Sequence, residues 1–131
     1  MNIAVHIKTD SHYKINRKRV RNLVTEYLEG KKVKGKTEVS IAVVGNRQMK
    51  ILNNLYRHLD KTSSVLAFSQ LDVESGEKFI DPPDGILRLG DIVISYPQVI
   101  DEASEEDKLV DDKIDELIIH GINNLLGMEG E

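Results

Sequence analysis

Apolar residues recur along this chain with two periods. A period of two marks strands, and recurrence at i, i+3, i+4 and i+7 marks amphipathic helices. Residues 2–7 alternate, with Ile3, Val5 and Ile7 on one face and His6 on the other. From Asn16, a residue suited to an N-cap, a helix is predicted to about Leu28, closing at Gly30 and burying Val20, Leu23, Val24, Tyr27 and Leu28. The lysine- and glycine-rich residues 31–36 read as a loop. Residues 37–44 give the clearest alternation, with Val39, Ile41 and Val43 on one side. After Gly45-Asn46 a second helix is predicted over 47–58, with Met49, Leu52 and Leu55 inward. A short strand follows at 65–71, then a polar excursion at 72–84 holding Gly76, Pro82 and Pro83, then a strand at 86–95. Pro97 to Ala103 opens as a short helix. Ser104 with Asp107 three residues on resembles a capping box, which predicts a final helix over 105–126. That helix carries Leu117, Ile118, Ile119, Ile122, Leu125 and Leu126 at helical spacing, and Gly127 supplies its stop.

This order of elements predicts a single domain over residues 1–131 of α+β class, one mixed sheet of about four strands with helices packed on it. At 40% hydrophobic and 31% charged the composition is that of a globular chain, not a disordered one. No run approaches the roughly 20 apolar residues that span a bilayer. The first residues show no basic-then-apolar signal pattern. With no cysteine at all, disulfides and thiolate metal sites are excluded and a reducing, cytoplasmic setting is expected.

The net charge of −4 conceals an asymmetry. Residues 14–36 hold nine basic side chains against Glu26 and Glu29, whereas residues 101–131 hold eleven acidic ones against Lys108 and Lys113. A basic segment of that density has two readings: a phosphate-binding face, with Arg17, Lys18 and Arg21 toward solvent, or an ordinary solvated surface. His6 and His12 read as surface histidines, and Asp60 and Asp91 as turn-fixing carboxylates.

The chemistry concentrates at the end of the chain. His120 is a lone imidazole in an apolar run, and Asn124 lies one turn further along the same helical face. A histidine pair at that spacing with a third ligand just past the helix is a common zinc arrangement. On the residues alone, His120 also reads as a hydrogen-bonded core histidine. The segment His120-Gly-Ile-Asn-Asn-Leu-Leu-Gly-Met-Glu-Gly130 resembles the signature HGxLHLxGxDH of the YbeY family, metal-dependent endoribonucleases of bacterial rRNA maturation. His120, Gly121, Leu125 and Gly127 match it; Asn124 stands for the second histidine, Glu129 for the aspartate and Gly130 for the third histidine. Leu52-Asn-Asn-Leu-Tyr-Arg-His-Leu-Asp-Lys-Thr-Ser-Ser-Val-Leu-Ala-Phe68 is similar to a second family segment, LNxxYRxxDxxTDVLSFP, and Leu89-Gly-Asp-Ile-Val-Ile94 to a third.

The resemblance implies the family's metalloprotease-type fold and a single-strand-specific endoribonuclease acting on ribosomal RNA precursors with the small ribosomal subunit as partner. It implies no membrane or DNA partner. It places Arg57 at the active site, where an arginine fork would face a phosphate; the residues alone also allow a helix-end arginine near the last carbonyls. It makes His120 a zinc ligand, with Asn124 in a degenerate ligand position and Glu129 as a possible carboxylate substitute. An amide is a weak zinc ligand and glycine is none, so zinc gives way to manganese, magnesium or no metal as open alternatives. With no metal, the chain would be an RNA- or ribosome-binding homologue without catalysis.

Overall fold

The computed structural model describes residues 2–10, 12–31, 33, 35–57, 63–69 and 85–127. Among the described residues eight elements occur in order: β1 (Ile3–Thr9), α1 (Arg17–Gly30), β2 (Lys36–Val44), α2 (Asn46–Arg57), β3 (Val65–Ser69), β4 (Ile86–Ser95), α3 (Tyr96–Glu105) and α4 (Val110–Leu125). The strands form one sheet in the order β1-β2-β4-β3. β1, β2 and β4 run parallel, and β3 runs antiparallel to β4. The architecture is α+β with a mixed four-stranded sheet, as the order of elements predicts.

The alternation in the strands decides which face is buried. Val5, Val39, Ile41, Ile92 and Ile94 point to one side and pack against Val20, Val24 and Leu28 of α1. Val99 of α3 and Ile114, Leu117, Ile118 and Ile122 of α4 complete that core. Each such side chain removed from water contributes roughly 1.5–3 kcal/mol, so this layer carries most of the stability. The opposite face holds a much smaller cluster, Met49 of α2 on Leu66 and Val93. Among the described residues, one face is thus fully roofed and the other only partly.

Local signals fix most boundaries. Asn16 caps α1, its side chain accepting the Arg19 backbone N–H at 3.0 Å. Gly127, at φ 75°, donates to the Asn124 carbonyl and ends the last helix. Four expectations are corrected. The final helix does not start at 105, and Ser104 and Asp107 form no capping box. Instead α3 runs through Ser104 to Glu105, and the chain reverses at Asp107 (φ 57°) before α4 begins at Val110. Backbone bonds from Glu106 to Glu102, Asp107 to Ser104 and Lys108 to Ala103 close that turn, so the backbone rather than a hydroxyl terminates α3. Leu55 is not inward but 63% exposed, while Asn53 is fully buried. Asp91 fixes no turn; it lies within β4, opposite Ser40 and Phe68. The first strand extends to Thr9 rather than ending at 7. The polar excursion at 72–84 and Asp60 lie outside the described residues.

Part of the charge asymmetry is internal to the fold. Arg19 on α1 reaches α4, donating to Asp115 at 2.7 and 3.1 Å and to Asp112 at 2.7 Å. These bonds, to Asp115 first and then Asp112, raise the guanidinium pKa further. On α4, Lys113 is only 4% exposed. Its ammonium donates to Glu106 at 3.0 Å and Glu116 at 2.9 Å, with Glu102 at 3.5 Å. Lys108 bonds Glu116 and Glu106 as well. Burial opposes the charge on Lys113, but its bonds to Glu116 and Glu106 outweigh that and raise its pKa.

In the same network Lys113 and then Lys108 hold Glu106 below its ordinary 4.5, and Lys108 and then Lys113 do the same for Glu116. A carboxylate with a lowered folded pKa contributes stability that is complete above 4.5 and lost as pH falls below it. Urea unfolding should therefore show stability declining below about pH 4.5. Lys113→Met should flatten the decline, and an unchanged slope would count against the network. A second expectation concerns Gly121, where a Cβ would lie 2.9–3.0 Å from three side-chain carbons of the fully buried Ile92. Overpacking of this kind costs about 1–3 kcal/mol, against about 1 kcal/mol gained by removing a helical glycine. Gly121→Ala is expected to lower the urea midpoint with the slope unchanged; a midpoint at or above that of the parent chain would contradict the close approach.

Candidate functional site

β3 is an edge strand, paired among the described residues with β4 alone. α2 lies against one face of the sheet and α4 against the other. Their ends flank β3, and between them lies a groove of about 670 Å³. Its floor is Val65 to Phe68, one wall is Tyr56 and Arg57 from the end of α2, and the other is His120 and Asn124 from α4.

Each wall is held by identifiable contacts. Asn53, one turn before Arg57, is fully buried and donates to the Ser63 hydroxyl at 3.0 Å. That bond ties α2 to the approach of β3 and so sets Arg57 beside the strand. At the other end of α2, the Ser95 hydroxyl donates to the Asn46 side chain at 2.8 Å. The Tyr56 and Phe68 rings meet at 4.8 Å, tilted by 55°. On α4, the buried faces of Ile118 and Ile122 press on the core, which turns His120 and Asn124 outward into the groove. Both are exposed. The core-histidine reading of His120 is thereby corrected: the bare Cα of Gly121 takes the contact with Ile92, and the imidazole next to it faces out.

Arg57, His120 and Asn124 therefore share one groove, although they come from segments more than sixty residues apart. Arg17, Lys18 and Arg21 do not line it. They are exposed on α1, which packs on the fully roofed face. Arg17 donates to the Ile7 carbonyl at 3.0 Å and the Thr9 hydroxyl at 3.2 Å, anchoring α1 to the end of β1. Lys18 and Arg21 remain on the surface. Glu129 lies outside the described residues. Sequence reasoning overlooked Asn53 as a support and the Tyr56–Phe68 pair as a wall. The available signal was a polar residue one turn from both Met49 and Arg57, on the helix's inward side.

The resemblance implies a zinc ion at this groove. The groove offers one imidazole and one amide. Among the described residues no three histidine, cysteine or carboxylate side chains come together as a metal site. Tetrahedral zinc needs three strong protein donors in a catalytic site, and the described residues of the groove do not by themselves fit it. What they offer is a planar cation, an imidazole, an amide and two aromatic faces around an open trough. That combination suits a phosphate with an attached base.

The family model described as Endoribonuclease YbeY matches residues 4–130. A protein from Dehalococcoides mccartyi named Endoribonuclease YbeY is 30% identical, with 98% of this chain and 84% of that protein covered. One of the same name from Oceanobacillus iheyensis is also 30% identical, over 98% of this chain and 84% of its own length. The solution structure of a Thermotoga maritima protein superposes with a TM-score of 0.56 at 25% identity, covering 97% of this chain and 73% of the other. No described helix is long and apolar enough to cross a membrane. The matches along nearly the full length lead to one assignment: this chain belongs to the YbeY family.

Proposed function

We propose that the chain acts on single-stranded ribosomal RNA precursors as an endoribonuclease of rRNA maturation, with the small ribosomal subunit as its partner assembly. The observation that carries this reading is the convergence of Arg57 and His120 from opposite faces of the sheet onto one groove. Arg57 would bind the phosphate, because its planar fork matches two phosphate oxygens and offsets charge that develops during displacement. The His120 imidazole would hold or pass a proton at the attacking or leaving oxygen. Asn124, one turn along, would orient the ribose or phosphate through its amide. Tyr56 and Phe68 would stack a base, a contact every base can make, which accounts for single-strand preference without sequence reading. Lys18 and Arg21 would add a nonspecific attraction for RNA outside the groove.

A second reading is favoured by the donor set: a homologue that holds RNA in the same groove without cutting it. The two readings agree on where RNA lies and differ in its fate.

Denaturing gels of a labelled single-stranded RNA distinguish them. Under the nuclease reading, the parent chain cleaves the RNA, and Arg57→Ala and His120→Ala each lower the rate by about 10²–10³-fold. Retained, intact RNA at every zinc and manganese concentration would overturn the nuclease reading in favour of binding alone. Calorimetry with zinc addresses the donor set separately. No tight one-to-one binding is expected, and a tight site abolished in His120→Ala would overturn the fit argument.

A further inference from the structure

Among the described residues, the face of the sheet opposite the main core is covered by α2 at one end only. Beside α2 lies a second hollow of about 350 Å³. Its floor follows from strand register. His6 on β1 pairs with Ser40 on β2, Ser40 with Asp91 on β4, and Asp91 with Phe68 on β3. These four residues form one row across the whole sheet, and all four line the hollow. Lys8 stands one step beyond His6 on the same face of β1. His6, Lys8 and Asp91 are exposed.

Two observations connect this hollow with the groove. Tyr56 and Phe68 line both, so the tilted pair of rings is a shared wall and not a barrier at one end. The polar row also has the chemistry of nucleosides rather than of phosphates. A carboxylate, a hydroxyl and an imidazole accept and donate hydrogen bonds to base edges and ribose hydroxyls, while Asp91 repels a phosphate. Another acidic group on this face, Glu38, lies 3.6 Å from the Arg88 guanidinium and 3.8 Å from the His6 ring. An open four-stranded sheet face with an aromatic residue is a recurring platform for unstacked bases of single-stranded RNA.

We propose that the row Phe68–Asp91–Ser40–His6 is a second nucleotide-binding site, holding the base and ribose of RNA residues that flank the one bound at Arg57. This inference rests on the RNA reading above and adds the path of the strand. RNA leaves the groove over Tyr56 and Phe68, crosses the sheet toward β1 and meets its next phosphate at Lys8. Ribose hydroxyl contacts at Asp91 and Ser40 make the site prefer RNA to DNA.

Fluorescence anisotropy with labelled, unstructured RNAs from a dinucleotide to about a dozen nucleotides tests this. In the parent chain, affinity should rise with length until both sites are filled. The double variant Ser40→Ala/Asp91→Ala should weaken the longest RNA by about tenfold, an effect the size of one lost base contact, while leaving the dinucleotide unaffected. His6→Ala, at the far end of the row, should give a smaller loss of the same kind, and thermal melting checks that the variants fold. Arg57→Ala should weaken every length. Long-RNA affinity unchanged or increased in the double variant, with Arg57→Ala still defective, would overturn the sheet-face site and leave the groove reading standing. No binding of any RNA by the parent chain would overturn both. Equal affinity for DNA of the same sequence would overturn the ribose contact.

Discussion

The contact between Gly121 and Ile92 is the constraint on which the rest of the arrangement depends. A helix normally stands off a sheet by the thickness of its side chains. Here three carbons of Ile92 occupy the space in which a Cβ of residue 121 would lie, so α4 sits close against β4. That depth fixes the rotation of α4. With Ile118 and Ile122 fully buried on either side of Gly121, His120 and Asn124 have to emerge on the flank that faces β3. A side chain at 121 would force the helix outward or around, and either change would shift the imidazole beside it. The glycine and the histidine beside it therefore act as one positional unit.

Charge holds the helices in register around that contact. Arg19 ties α1 to the first turns of α4, and Lys113 draws the end of α3 and the start of α4 onto one buried ammonium. The basic and acidic halves of the sequence meet in these contacts, the arginine from one half and its carboxylates from the other. Exposed ion pairs contribute little individually, about 0–1 kcal/mol. A lysine with 4% exposure is different. Its charge has to be compensated where it stands, so the network specifies how α3 and α4 meet at Asp107 as much as it adds stability. Arg19 is accordingly lost as a phosphate ligand, while Lys18 and Arg21 beside it stay on the surface.

Much of the fold was legible because its signals are local. Alternation in 37–44 and the stripe Val20, Val24 and Leu28 state which face is buried without reference to anything distant. The strand order was not legible, because it depends on which strands meet, and pairing β2 with β4 across an intervening strand leaves no mark on either sequence. The Ser104–Asp107 pattern misled for a related reason. A capping box needs the backbone to enter a helix at Ser104, and here the same backbone is still leaving α3. At the site, the segment match brought Arg57 and His120 forward and the fold places them together. Asn53 and the Tyr56–Phe68 pair escaped notice because their roles exist only once α2 lies over β3.

The half-covered sheet gives the site its shape. A row packed under a helix needs apolar residues, as Val39 and Ile41 supply on the roofed face. Instead β1 and β2 present His6, Lys8 and Ser40, and β4 presents Asp91. Polar residues at these positions contribute nothing to a core and expose the edges of the Tyr56 and Phe68 rings to solvent. A chain needing only a catalytic groove could cover that face and gain stability from it. An open polar row in register across all four strands, continuous with the groove through two aromatic rings, makes physical sense for a ligand longer than a single nucleotide, one that lies across the sheet as it enters the site.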